Sequence, residues 1–156
     1  MLDVPVESTY VWIGLAVVSA SVFGLALRVP ASPPPDATRA AQTVDSVASS
    51  PYEASGRHPL DADEIRIGRD RIGLRTDGGA AHAAFAFESV VPALGSDRLR
   101  AVLRGRPPRA VFEDRAAFAA ALEAARTREP RWQPAPETLL VRRVTWGEVN
   151  ATLVGA

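Results

Sequence analysis

The chain has 156 residues, 18 of them basic and 18 acidic, so its formal charge is zero, as is its mean hydropathy. This length holds one small domain with or without an anchor, and excludes a two-domain cofactor enzyme. Cysteine is absent, which excludes disulfides, thiolate metal sites and a cysteine nucleophile, and the two histidines, His58 and His82, are too few for a histidine metal cage.

All 18 basic residues are arginine. A recognition site biases a few positions, whereas this bias runs through the whole chain, so it reads as a compositional preference. From Ser8 to Leu27 the sequence STYVWIGLAVVSASVFGLAL carries no charge. About 20 such residues match a hydrocarbon core of roughly 30 Å, and the pattern predicts a transmembrane helix within an N-terminal anchor, residues 1–29. Tyr10 and Trp12 stand at one headgroup level, and Arg28 with Pro30 closes the other end. A signal peptide fits less well, because no basic residue precedes the run. Ala16, Ala20 and Gly24 recur every four residues, a small-residue stripe on which a second helix could pack.

Residues 30–59 read as a spacer with one helix. Pro30 to Asp36 contains four prolines and cannot continue a helix. From Ala37 to Ser49 the positions Ala40, Ala41, Val44, Val47 and Ala48 form one stripe, which predicts an amphipathic helix ending before Pro51.

Residues 60–156 read as a small α+β domain. The period shifts to two: Ile65 and Ile67, then Ile72 and Leu74, then Ala83, Phe85 and Phe87 alternate with other residues, separated by turns at Gly68 to Arg71 and Thr76 to Gly79. That predicts a three-stranded antiparallel meander. Ser96 and Asp97 can cap a short helix carrying Leu99, Val102 and Leu103, and Asp114 can cap another over Arg115 to Arg128. Leu139 to Trp146 and Val149 to Val154 read as a hairpin about a Gly147-Glu148 turn. The expected fold class is therefore α+β: a transmembrane helix, a proline spacer, then one antiparallel sheet of about five strands with two or three helices.

No constellation for catalysis, cofactor or metal emerges. Asp61, Asp63 and Glu64 lack the glycine-supported loop and distal glutamate of a calcium hand and read as a solvated strand entry. Neither histidine has a partner at triad or zinc-motif spacing, and Gly78-Gly79 is followed by no lysine, so nucleotide binding is not indicated. Asn150-Ala151-Thr152 matches a glycosylation sequon inside the last strand. The strongest local signal is charge. Ser96 to Arg143 holds 11 arginines against 6 acids, with Arg98, Arg100, Arg104, Arg106 and Arg109 closely spaced, a candidate surface for anionic lipid or an acidic partner. Nucleic acid is not expected, because Phe112 and Trp132 are the only aromatics available to interleave with these arginines.

The order of anchor, proline spacer, TVDSVASSPYEASGRHPLDADEIRIGRDRIGLRTDGG, RLRAVLRGRPPRAVF and VRRVTWGEVNATLV resembles a haloarchaeal family of single-pass membrane proteins. The segment from the anchor through Leu74 is also similar to archaeal pilin-like proteins. The resemblance implies a structural, non-enzymatic protein of the cell membrane, its domain outside, in contact with the bilayer and with other membrane or pilus-like secretion components. Counting the flanking charges, with Arg28 and Arg39 after the run and Asp3 and Glu7 before it, favours the domain inside instead. Residues 1–7, MLDVPVE, have neither the basic residue nor the glycine of a pilin processing site, so an accessory component is expected. The alternative function is a tethered binding module that uses the arginine-rich face.

Overall fold

The structure, a computed structural model, describes residues 11–19, 34–87 and 90–155. The chain forms two compact units, Met1–Pro33 and Pro34–Ala156. In the first, residues 11–19 are helical (α1). The transmembrane expectation is corrected here. Among the described residues no helix is long and apolar enough to cross a membrane. This finding also overturns the expectation of a single-pass protein of the cell membrane. Residues 8–10 and 20–27 of the expected span lie outside the described residues, as do Ala20 and Gly24 of the small-residue stripe.

The second unit is α+β, and here too the expectation needs correction: it has two four-stranded sheets where one sheet of about five strands was expected. Its elements are α2 (Ala37–Ala48), β1 (Ala54–Pro59), β2 (Glu64–Ile67), β3 (Arg71–Thr76), β4 (Gly79–Ala84), β5 (Val90–Pro92), α3 (Asp97–Leu103), a 3-10 turn (Pro108–Ala110), α4 (Arg115–Arg126), β6 (Gln133–Pro134), β7 (Thr138–Trp146) and β8 (Val149–Gly155). The first sheet runs β1-β7-β8-β5, with β5 parallel to β8 and the other pairs antiparallel. The second runs β4-β3-β2-β6 and is antiparallel throughout.

The hairpin and the first two strands of the meander lie where the alternation predicts them, whereas the third strand is Gly79–Ala84, so Phe85 and Phe87, expected in it, follow its end. Ile65, Ile67, Ile72 and Leu74 are buried on one face of the second sheet. Gly147 turns the β7-β8 hairpin at φ +65°, a left-handed conformation that a side chain resists. The helices also follow their signals: Asp36, Ser96 and Asp114 each accept a hydrogen bond from the backbone N–H three residues on, satisfying one of the orphan donors at each helix start.

Three strands were not expected. β1, ASGRHP, has no apolar alternation, because its inward positions are Ala54, Gly56 and His58. β5 is a three-residue apolar run buried on both faces, and β6 has only two residues.

The first sheet is the middle layer. One face packs on α2 and the inner face of the second sheet, through Val44, Ile65, Ile72, Leu74, Leu139 and Val141. The other packs on α3 and α4, through Leu99, Val102, Phe118, Leu122, Val144 and Leu153. Successive side chains of a strand leave opposite faces, so Arg142 and Arg143 on β7 point into different layers. Arg143 Nη1 donates to the carbonyl of Ala48, the last residue of α2, at 2.6 Å. Arg142 Nη1 donates to Val102 O in the last turn of α3 at 2.7 Å, and to Arg106 O at 3.3 Å. Helix C-termini leave carbonyls without intrahelical partners and carry partial negative charge, so a guanidinium is a fitting cap for both.

Thr152 sits opposite Arg143 across the hairpin; it is fully buried, and its Oγ1 has no hydrogen-bond partner among the described residues. The sequon is thus split, with Asn150 exposed and accepting from Thr145 Oγ1 at 2.8 Å while Thr152 is interior.

Arg143→Leu removes the guanidinium donor of the Ala48 carbonyl and should cost about 1–3 kcal/mol in urea unfolding, whereas Arg142→Leu should cost less, because Val102 O keeps its bond from Gly105 N at 3.0 Å. Thr152→Val removes an unpaired buried hydroxyl at nearly constant shape. It should raise stability by about 1 kcal/mol in the same assay, and a loss of that size would show that the hydroxyl is bonded.

Candidate functional site

The arginine-rich segment is carried by α3 and the 3-10 turn, held on the first sheet by Leu99, Val102, Leu103 and Pro108. The structure divides its arginines by what each guanidinium does. Arg98 lies 4.2 Å from the Phe112 ring centroid and donates to Val111 O at 3.1 Å. Arg106 donates to Ala110 O at 3.3 Å. Both therefore brace the turn after α3. Arg100 pairs with Asp97 one turn back on the helix. Arg104, one turn beyond Arg100, and Arg109, on the 3-10 turn, are exposed. Arg109 also borders a cavity of about 160 Å³ shared with Glu53, Arg142 and Trp146. The structure thus joins all five arginines on one continuous segment. Ala16 of the small-residue stripe lies in α1, in the other unit.

The interleaving aromatics are not presented for stacking beside these arginines. Phe112 is buried, with Arg98 over its ring. Trp132 lies on the outer face of the second sheet, with Arg75 Cζ at 4.0 Å and Arg66 Cζ at 4.9 Å from its ring centroid. The edge-on ring of His82 is 5.8 Å away. Register explains this group: Arg66, Gly73 and His82 stand opposite one another on β2, β3 and β4, and Glu64 stands opposite Arg75 and accepts from it at 2.7 Å. Alternation places Arg66, Arg75 and His82 on one face, but nothing local in the sequence announces that Trp132, 50 residues after His82, folds back over them.

A third grouping, missed in the sequence, lies where α2 meets β1. A groove of about 430 Å³ is bordered there by Arg39, Thr43, Ser46, Ser55, Arg57 and His58. It exists because α2 approaches β1 closely: a Cβ on Gly56 would stand 2.8 Å from Val47 Cγ2. Only glycine fits at that separation. The missed signal was the small, polar composition of β1 itself.

Carboxylates elsewhere are mostly paired or structural. Glu64 belongs to Arg75, and the Asp63 backbone bridges Arg75 and Ala135, so the expected strand entry at Asp61 to Glu64 is what those residues form. Among the described residues no three His, Asp or Glu side chains gather to hold a metal ion. Arg71 donates through Nε and Nη2 to Asp70 Oδ2, and this bond holds the Asp70 carboxyl below the usual carboxylate range. Its contribution is present above the unfolded pKa and is lost as pH falls through the lowered folded value. Both side chains are mainly in solvent, which keeps the effect small.

Fold and surface define a small α+β module with arginine-capped helices and two basic surfaces. Residues 3–144 match the profile of a family of unknown function, DUF7283, and the chain belongs to that family. No curated protein and no solved structure matches it.

Trp132→Ala removes the ring that covers Arg66 and Arg75, contacts worth about 0.5–1 kcal/mol each at exposed sites. Stability should fall by about 1–2 kcal/mol in urea unfolding. Loss of the tryptophan's near-ultraviolet dichroism should accompany it, and an unchanged midpoint would show that the ring is not packed there.

Proposed function

We propose that this protein is a non-enzymatic interaction module that docks an acidic protein partner on the surface carrying Arg98, Arg100, Arg104, Arg106 and Arg109. The observation that carries this reading is charge density on a rigid support. Residues 98–109 hold five guanidinium groups and no carboxylate. Three buried side chains, Leu99, Val102 and Leu103, fix the helix beneath them. Arg98 and Arg106 are already held by backbone carbonyls, so little freedom remains to be lost when a partner binds. A concentrated field of one sign steers an oppositely charged partner and sets its orientation. Guanidinium groups suit carboxylates through paired N–H donors.

The resemblance to proteins associated with pilus-like secretion machinery supports an accessory, structural role, with the acidic partner a component of such an assembly. No nucleophile-base pair suggests a reaction.

A fluorescent polyglutamate peptide tests the reading. Binding should weaken as salt rises. The triple variant Arg100→Glu, Arg104→Glu, Arg109→Glu, which spares the capping arginines, should bind at least about tenfold more weakly while unfolding normally. Unchanged binding by that variant would sink the proposal.

A further inference from the structure

Each of the two sheets ends in two edge strands, and three of these edges are guarded against further pairing. β1 carries Arg57 and ends in Pro59, β5 has three residues and ends in Pro92, and β6 has two residues and ends in Pro134. Proline removes a ladder donor and a charged side chain keeps a neighbouring strand away, which are the usual ways of blunting a sheet edge. β4 has neither device. Its six residues, GAAHAA, contain no proline and no Asp, Glu, Lys or Arg.

The parity of the ladder shows what this edge offers. Phe85 N donates to Asp70 O at 2.7 Å, one step past the Arg71-Ala84 pair. Opposed residues of an antiparallel pair alternate between bonded and non-bonded. Ala83, Ala81 and Gly79 therefore bond to β3, while the N–H and C=O of Ala80, His82 and Ala84 point away from it. Among the described residues no hydrogen bond reaches these six groups. The bond that α2 makes to this stretch, from Ala86 N to Asp45 Oδ1 at 2.9 Å, lies beyond the end of the strand.

We propose that β4 pairs with β4 of a second copy of this chain, antiparallel and two-fold symmetric about His82. The outward set fits itself: with His82 opposite its counterpart, Ala80 faces Ala84 and Ala84 faces Ala80, and each of the three pairs exchanges two N–H···O=C bonds. The same patch thus serves both sides, as a two-fold interface requires. His82 Nε2 accepts from Arg66 Nη2 at 3.3 Å, so the imidazoles at the axis meet uncharged. With no charge anywhere on the strand, self-pairing sets no like charges opposite each other, and a charged partner finds nothing there to recognise. Antiparallel pairing also lays the end of one β4 beside the start of the other. Phe87, 41% exposed and three residues past Ala84, then stands on the side of the second copy's Asp77–Gly79 turn, which can cover it. The edge shares no residue with the surface from Arg98 to Arg109, so the inference does not depend on the acidic-partner reading.

Pairing along six residues is small beside the roughly 1,200 Å² of a standard interface, so a weak dimer, half-formed at about 100 µM, is expected. Sedimentation equilibrium of the full chain across that concentration should show mass rising from one copy to two. Ala84→Pro removes only an outward N–H and should weaken dimerisation at least about tenfold while the chain unfolds normally in urea. His82→Lys sets two ammonium groups opposite each other at the axis and should give the same loss without touching the backbone, which covers a proline variant that fails to fold. Because the chain has no cysteine, the register can be read by oxidation. His82→Cys should form a disulfide-linked dimer, whereas Ala80→Cys should not, since its counterpart stands four residues away, about 13 Å along the strand. A parent chain that stays monomeric at every concentration would overturn the proposal and leave the edge to a strand of another protein. A dimer that survives both Ala84→Pro and His82→Lys, or cross-linking faster through Ala80→Cys than through His82→Cys, would overturn it too.

Discussion

Two adjacent guanidinium groups on β7 hold the layers of this protein in place. Arg142 and Arg143 differ by one residue and therefore by one face of the sheet. One closes the C-terminus of α3 and the other the C-terminus of α2. A helix end abutting a sheet leaves carbonyls that water reaches poorly, and each would cost desolvation energy if left alone. The Arg142 guanidinium reaches two carbonyls, Val102 O and Arg106 O, from Nη1 alone. A carbonyl outside the helices is met in a similar way after β5, where Arg128 Nη1 donates to Leu94 O at 2.9 Å.

This division gives the arginine-rich composition a physical meaning that counting cannot. Residues that look alike in sequence serve two ends. Arg98, Arg106, Arg128, Arg142 and Arg143 complete backbone carbonyls, while Arg100, Arg104 and Arg109 stand on the outer side of a helix and turn already fixed from beneath. Near-neutral total charge conceals this arrangement, because acids such as Asp36, Asp70 and Glu64 are paired locally with Arg39, Arg71 and Arg75. Binding at the arginine-rich surface is a proposal drawn from that uneven distribution.

Much of the fold was legible because most elements carry their own periodicity. The α2 stripe, the Ile65 to Leu74 alternation and the β7-β8 hairpin needed no tertiary information. The apolar run at Ser8 to Leu27 led to a transmembrane expectation, and among the described residues no helix is long and apolar enough to cross a membrane. The three unexpected strands were hidden for another reason: β1 is selected by Gly56 fitting under α2, and β5 and β6 are too short to show a period. Of the candidate surfaces, the arginine segment was visible as a contiguous run. The α2-β1 groove and the Trp132 cluster were not, because each joins residues from separate elements whose meeting is decided by packing.

Native-state hydrogen exchange on the variants Arg142→Met and Arg143→Met tests most directly whether two neighbouring arginines cap two different helices. Arg143→Met should speed exchange of amides in the last turn of α2 and leave α3 protected, and Arg142→Met should do the reverse, because local opening follows the lost cap. Identical, uniform changes in both variants, or no change at either helix end, would contradict the account.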